Sequence, residues 1–168
     1  MERLYTIGYE GASLSDFIRT LKVAGVDVLL DVREIAVSRR KGFSKQALAQ
    51  ALREAGIEYR HERALGSPKT IRDALHQDKD YATFFALFET YLNTQHELLK
   101  TLAESLSGGV ALMCYERDPK TCHRSVIAQH LNELTGLSPK HIGVRNYGNN
   151  CQASLHLGQG VPTAQPAI

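Results

Sequence analysis

Short apolar runs alternate with longer amphipathic segments along the chain. The longer segments repeat large apolar residues every three or four positions, which is the period of a helix with one buried face. The short runs are nearly continuous in apolar residues, as in strands buried on both faces of a parallel sheet. The runs that predict strands are residues 4–7, 26–32, 57–59, 110–114 and 141–144. The segments that predict helices are residues 14–23, 47–52, 81–102 and 121–134.

Turn and capping residues divide these segments at the expected places. Ser13 or Ser15 can cap the first helix, and Ser44 can cap the second. Residues 61–75 are rich in charge and predict a loop with a short helix. Residues 81–102 predict one long helix, or two helices joined near Asn93.

Alternation of strands and helices predicts an α/β fold. We expect three layers, with a mainly parallel sheet of four or five strands, helices on both faces and right-handed crossovers. Nothing divides the first part of the chain, so residues 1–145 are expected to form one domain. Residues 146–168 hold few large apolar side chains and predict a flexible tail.

Composition places the chain among ordinary globular proteins. Of its 168 residues, 43% are hydrophobic and 23% are charged, which is enough to build a core without disulfides or a structural metal. No export signal and no apolar stretch long enough for a membrane span are visible. Three cysteines, an odd number, favour reduced thiols, so we expect a cytoplasmic protein without a membrane segment.

Charge is unevenly distributed although the net charge is only +2. Residues 33–72 contain ten bases and four acids, so this segment carries +6 while the rest of the chain carries −4. Such a segment could contact an anionic small molecule or a nucleic acid, or its charges could simply lie on a solvent-exposed surface without a ligand. Both interpretations stay open at this point.

Polar and reactive residues follow the carboxyl ends of the predicted strands. These ends are residues 8–11 (GYEG), 31–33 (DVR), 59–61 (YRH) and 114–116 (CYE). The amino ends carry ordinary turn residues such as Asp27, Gly56 and Gly109. Because ligands of open parallel sheets bind beyond the carboxyl ends of the strands, this asymmetry predicts a functional site at that edge.

The fourth strand end is the richest in chemistry. Cys114 leaves the strand, Glu116 follows, and a helix is expected to carry Cys122, His123 and Arg124 in its first turn. A helix start binds anions and lowers the pKa of a thiol, and a guanidinium group suits phosphate or carboxylate. The candidate catalytic residues are Asp31, Cys114, Glu116, Cys122 and His123. The candidate substrate-binding residues are Tyr9, Glu10, Arg33, Arg40, Lys45, Tyr59, His61, Gly66 and Arg124.

Three functions compete for this pattern. The first is a thiol enzyme with Cys114 or Cys122 as nucleophile, acting on a phosphate-bearing substrate; it lacks the Cys-x5-Arg loop of phosphatases and rhodaneses, because Lys120 stands six residues after Cys114. The second is a metal site that uses Cys114, Cys122 and His123, although their spacing is uncommon for zinc and we assign no metal ligand. The third is a nucleic-acid-binding module built on the basic loop of residues 39–41.

Several of these motifs together resemble a family catalogued as a domain of unknown function, number 488. The resemblance covers residues 3–135. It rests on TIGYEG at residues 6–11, DVR at 31–33, GFS at 42–44, Tyr59 with His61, LG at 65–66, and Cys114-x-Glu116 followed by Cys122-His123-Arg124. It implies an α/β fold and a shared pocket, and it implies no particular reaction or cofactor.

Overall fold

Strands and helices alternate through residues 1–148, the part of the chain that the computed structural model describes. The strands are β1 (Arg3–Gly8), β2 (Val28–Asp31), β3 (Glu58–His61), β4 (Gly109–Cys114) and β5 (Lys140–Ile142). The helices are α1 (Leu14–Ala24), α2 (Lys45–Glu54), α3 (Lys69–Asp78), α4 (Tyr81–Asn93), α5 (His96–Ser105) and α6 (Arg124–Thr135).

The five strands form one sheet in the order β3-β2-β4-β1-β5, and every neighbouring pair is parallel. The predicted α/β class, the parallel sheet and its width are therefore confirmed. In this order β4 lies between β1 and β2, so that Gly8 pairs with Cys114 and Asp31 pairs with Met113. The fourth strand thus ends beside the first two strands of the chain.

Two apolar cores lie on the two faces of the sheet. One contains Phe17 and Leu21 of α1 and Leu48 and Leu52 of α2. The other contains the buried residues of α4, α5 and α6, together with Cys114 and Cys122. The helices therefore cover both faces, and the predicted three layers are present.

Local boundaries differ from the sequence expectation at two places. The segment 81–102 is two helices, because the chain turns at Thr94 and Gln95 before α5 begins. The last long helix begins at Arg124 rather than at residue 121. Residues Pro119–Thr121 form a short 3₁₀ helix, and Cys122 then has extended backbone angles of φ −126° and ψ 136°, which interrupt the helical path. Cys122 and His123 consequently precede α6, and of the three residues expected in its first turn only Arg124 lies there.

Ser13 caps α1 as expected, because its hydroxyl accepts a hydrogen bond from the amide of Asp16. Ser44 has the backbone of a cap, but its hydroxyl instead accepts from the amide of Ser38. None of the helices within residues 1–148 is both long and apolar enough to span a bilayer. The predicted tail of residues 146–168 lies outside the described residues from position 149 onward.

Candidate functional site

The loop after β4 is pressed against the end of β1. Gly8 pairs with Cys114, and a Cβ atom placed on Gly8 would lie 1.9 Å from the carbonyl oxygen of Glu116. Only glycine fits at such a distance from a neighbouring backbone. Gly8 of the TIGYEG segment therefore allows the loop of residues 115–123, which we call the cysteine loop, to pass this close to β1.

Cys114, Cys122 and His123 meet beneath this loop, and we call them the cysteine cluster. Nδ1 of His123 lies 3.8 Å from Sγ of Cys114 and 3.9 Å from Sγ of Cys122. The three donor atoms all lie within 4.8 Å of one another, and none of the three residues is more than 6% exposed. Sγ of Cys114 also lies 3.0 Å from Oε2 of Glu116. The structure thus brings together four of the candidate catalytic residues.

The ring of His123 is held from its other side. Nε2 lies 2.9 Å from the backbone carbonyl oxygen of Val32, and the edge of the ring packs on Phe88 with the ring centroids 5.1 Å apart. A carbonyl oxygen accepts hydrogen bonds and cannot donate them, so Nε2 carries a proton and Nδ1 is directed to the two thiols. The orientation of the imidazole is therefore determined by the residue that follows β2 and by α4.

The pKa values of the residues in and beside the cluster are shifted in different directions. Burial alone raises the pKa of Cys122, but the Cys114 thiol and the positive charges of His123 and Arg124 outweigh it, so the pKa falls well below the ordinary thiol value. The pKa of Cys114 is raised well above that value by Cys122, by burial and by Glu116. Burial also raises the pKa of the Glu116 carboxyl group. For His123 burial lowers the pKa, yet the adjacent Cys122 charge raises it overall. These directions favour negative charge on Cys122 over Cys114 and positive charge on His123.

Arg124 points into the protein and is 1% exposed. Its Nη1 donates to the carbonyl oxygen of Glu116 at 2.5 Å, and its Nη2 donates to that of Arg117 at 3.1 Å. Both bonds hold the cysteine loop against α6. Two nitrogens of the guanidinium group that the sequence suggested for an anion thus bond backbone carbonyl groups, and its Nε has no hydrogen-bond partner among the described residues.

A second buried group lies on the other face of the sheet. Asp31 is fully buried and forms a two-point ion pair with Arg33, with contacts of 2.8 Å to Nε and 2.5 Å to Nη2. The hydroxyl of Tyr59 donates to the same carboxylate at 2.7 Å, and Nη1 of Arg33 donates to the hydroxyl of Tyr9 at 2.9 Å.

The two groups are separated by the alternation of the strands. Asp31 pairs with Met113, whose side chain packs in the core of α1 and α2, whereas Cys114 packs in the opposite core. Side chains at paired positions of parallel strands share a face, so Asp31 and Cys114 point away from each other. The structure therefore does not bring Asp31 to the cysteine cluster.

A cavity of about 420 Å³ opens at the carboxyl edge of the sheet and joins the two groups, and we call it the arginine cavity. This volume is within the usual range for small-ligand sites. Its lining residues are Tyr9, Arg33, Glu34, Ile35, Val37, Ser38, Arg39, Arg40, Ser67, Arg72, Tyr115 and His123. His123 is the member of the cysteine cluster that reaches the cavity wall, while the two thiols lie behind it.

The four arginines of the cavity have different partners. Arg33 is paired with Asp31, the guanidinium of Arg40 donates to the carbonyl oxygen of Ala12, and Arg72 contacts Glu34. Arg39 is exposed and makes neither an ion pair nor a hydrogen bond with residues 1–148. Its charge is therefore available to a ligand.

Ser67 adds an unsatisfied polar group to the same wall. It is 1% exposed, and its Oγ has no hydrogen-bond partner among the described residues. A buried hydroxyl without a partner is costly. The preceding Gly66 allows this wall to form, because a Cβ atom there would lie 2.1 Å from the amide nitrogen of Glu34.

The remaining candidate residues do not line the cavity. The Glu10 carboxylate accepts a hydrogen bond from the amide of Arg117, and Lys45 is exposed at the start of α2. Nε2 of His61 lies 2.8 Å from the carbonyl oxygen of Arg33. Sequence reasoning did not name Glu34, Ser67, Arg72 or Tyr115 as site residues. Tyr115 lies between the candidates Cys114 and Glu116, and Ser67 follows the candidate Gly66, so their positions next to the motifs could have identified these two residues.

Comparison with known proteins gives one match. A family model described as Domain of unknown function DUF488 matches residues 13–131, more than half of the chain. The matched range contains the cysteine cluster and all of the arginine cavity except Tyr9. Neither the curated proteins nor the solved structures yield a match.

Proposed function

The chain belongs to the family described as Domain of unknown function DUF488, and we propose that it is an enzyme that acts on a phosphate-bearing substrate. The substrate, a nucleotide or a nucleic acid, binds in the arginine cavity. The reacting group comes from the cysteine cluster with Glu116.

One observation carries this proposal: His123 contacts both thiols through Nδ1 and also lines the arginine cavity. A residue that touches both a ligand site and a reactive group is what proton transfer between them requires. Fixed on Val32 and Phe88, the ring can carry a proton at Nδ1 without reorienting.

The cavity favours an anion. Four arginines line it against one glutamate, and the exposed Arg39 is available for contact. Phosphate oxygens accept hydrogen bonds from a guanidinium group, whose planar fork matches their geometry. Tyr115, which is 44% exposed and meets the buried Tyr9 edge to face with centroids 5.3 Å apart, offers aromatic surface to a base beside the phosphate.

Other candidate residues receive supporting roles in this proposal. Asp31 and Tyr59 hold Arg33 in place at the cavity wall, and Arg124 holds the cysteine loop. The Glu116 carboxylate accepts a hydrogen bond from the Cys114 thiol, which holds that side chain in place.

Binding is tested with three probes: pyrophosphate, adenosine diphosphate and a fluorescein-labelled single-stranded oligonucleotide. We expect at least one probe to bind at low salt, and Arg39→Ala to weaken it about tenfold, the loss of about 1.4 kcal/mol that one charge-assisted contact supplies. Arg53→Ala is the matched control, because Arg53 lies on α2 away from the cavity and bonds Gln50. Failure of all three probes to bind would contradict the proposal.

Turnover is then followed by phosphorus NMR and by electrophoresis of the oligonucleotide. We expect product with the wild-type chain and none with His123→Gln, whose fold is checked by circular dichroism. Oligonucleotide binding that weakens steeply with salt but yields no product would instead favour a nucleic-acid-binding module without catalysis.

A further inference from the structure

We propose that Cys114, Cys122 and His123 bind one divalent metal ion of the zinc class. This inference concerns the cysteine cluster alone and goes beyond the proposed function, because it needs no particular substrate in the arginine cavity. His123 carries a proton at Nδ1 only in the metal-free chain, since a bound ion would take that nitrogen as a ligand and leave Glu116 as the proton acceptor.

The separations of the donor atoms fit a single ion. Zinc bonds sulfur at about 2.3 Å and imidazole nitrogen at about 2.0–2.1 Å, so two tetrahedral ligands of these types lie roughly 3.6–3.8 Å apart. Nδ1 of His123 stands 3.8 Å and 3.9 Å from the two sulfur atoms. The cluster therefore already has nearly the dimensions of a coordination site.

The imidazole is also oriented as a ligand. Its Nε2–H is bonded to the carbonyl oxygen of Val32, which leaves Nδ1 as the coordinating atom. Histidine ligands commonly donate their second ring N–H to a carbonyl or carboxylate group, and that bond selects the tautomer that the metal needs. Nδ1 faces the sulfur atoms, so no side-chain rotation is required for binding.

The chemistry of the donors selects the ion. Thiolate and imidazole groups prefer zinc over magnesium or calcium, which bind oxygen ligands. Two thiolates and one divalent cation are together neutral, and this neutral set is compatible with the burial of both cysteines at 4% exposure or less. Packing alone does not require two thiols to share one imidazole nitrogen.

Three protein ligands leave a fourth position, as in catalytic zinc sites. An ion there would act as a Lewis acid toward a bound oxygen. Glu116, with Oε2 at 3.0 Å from Sγ of Cys114, is placed to accept a proton beside that position or to occupy it.

The test uses the full chain, purified without chelator and then titrated with Co²⁺. We expect one equivalent to bind, with a thiolate-to-cobalt charge-transfer band and the intense visible bands of tetrahedral cobalt. Zn²⁺ should displace the cobalt. In the wild-type chain, one equivalent of Zn²⁺ should also protect two of the three thiols from a disulfide reagent, and chelator should restore their reactivity.

Matched variants assign the ligands. Cys122→Ser and Cys114→Ser should each remove the tetrahedral cobalt spectrum, while Cys151→Ser should keep it. The thiol-protection assay on the wild-type chain decides the matter even if a variant fails to fold. No cobalt spectrum and no protection by zinc would overturn the metal site, and so would loss of the spectrum in Cys151→Ser.

The two proposals fail separately. Phosphate probes report on the arginine cavity, and cobalt reports on the cysteine cluster. A chain that binds pyrophosphate but no cobalt would support the proposed function and exclude the metal site. A chain that binds cobalt but none of the phosphate probes would support the metal site and exclude the proposed function.

Discussion

His123 and Val32 are joined by a hydrogen bond of 2.9 Å from Nε2 of the imidazole to the backbone carbonyl oxygen. Val32 directly follows β2, and His123 directly precedes α6. The bond therefore ties the cysteine loop to a strand that is 91 positions distant in the chain. It decides which ring nitrogen faces the thiols, and hence what the cluster can bind.

The protonation of this ring can be observed directly. In a chain with ¹⁵N-labelled histidine, we expect the His123 Nε2 to carry a proton that exchanges slowly with water, because the ring is buried against Phe88. His96 is exposed on α5 and supplies a rapidly exchanging control. A neutral ring protonated only on Nδ1 would contradict the orientation described above.

The Asp31–Arg33 ion pair is expected to be essential for stability. Asp31→Asn leaves a buried guanidinium group without its counter-ion, so we expect a loss of about 3–5 kcal/mol in the free energy of unfolding measured with urea. Glu97→Gln breaks an exposed pair with Lys100 and should leave that free energy unchanged. If both substitutions lowered the free energy of unfolding by the same amount, the buried pair would contribute no more to stability than the exposed pair.

Gly8 should tolerate no side chain. Gly8→Ala places a methyl group against the Glu116 carbonyl, so the cysteine loop must move, and we expect a loss of about 1–3 kcal/mol in the free energy of unfolding, as in overpacked cores. Gly143→Ala is the control, since a Cβ atom there meets nothing within 4 Å. A stable Gly8→Ala variant with unchanged thiol reactivity would contradict this account of the loop.

Arg124 is expected to act on stability and not as a direct contact to an anion. Arg124→Gln removes the donors of two partly buried hydrogen bonds to backbone carbonyl groups, so we expect a loss of about 1–3 kcal/mol in the free energy of unfolding. Arg124→Lys should recover only part of the loss, because a single ammonium group lacks the planar fork. If instead either folded variant lost pyrophosphate binding while keeping its stability, Arg124 would be an anion ligand as the sequence suggested.

His141 should make stability depend on pH. Burial, and then the charge of Arg124, lower the pKa of His141, whose Nδ1 lies 2.6 Å from the Thr6 hydroxyl. The unfolded chain then takes up a proton at higher pH than the folded chain. The stability due to neutral His141 is therefore complete above about pH 6.5 and is lost as the pH falls through the lower folded value. Between about pH 7.5 and pH 5, wild type should lose more unfolding free energy than His141→Gln; parallel curves would contradict this.

Much of the fold was determined by local sequence. Apolar runs between capping and glycine residues predicted the strands, and the alternation of strands with helices predicted a parallel sheet covered on both faces. The carboxyl ends of the strands were correctly expected to meet at one edge, since parallel strands require it. Cys114, Glu116, Cys122 and His123 could be grouped in advance because they are close in the chain.

Only the tertiary structure decided how those groups face one another. Strand order placed β4 beside β2, which brought His123 to the Val32 carbonyl, and no local pattern encodes that order. Because of their positions in their strands, the side chains of Asp31 and Cys114 lie on opposite faces of the sheet. Asp31 therefore pairs with Arg33 and does not reach the thiols. Arg124 points into the protein, where its guanidinium group donates hydrogen bonds to the carbonyl oxygens of Glu116 and Arg117. A sequence shows which groups are charged or reactive, but their partners depend on contacts between segments far apart in the chain.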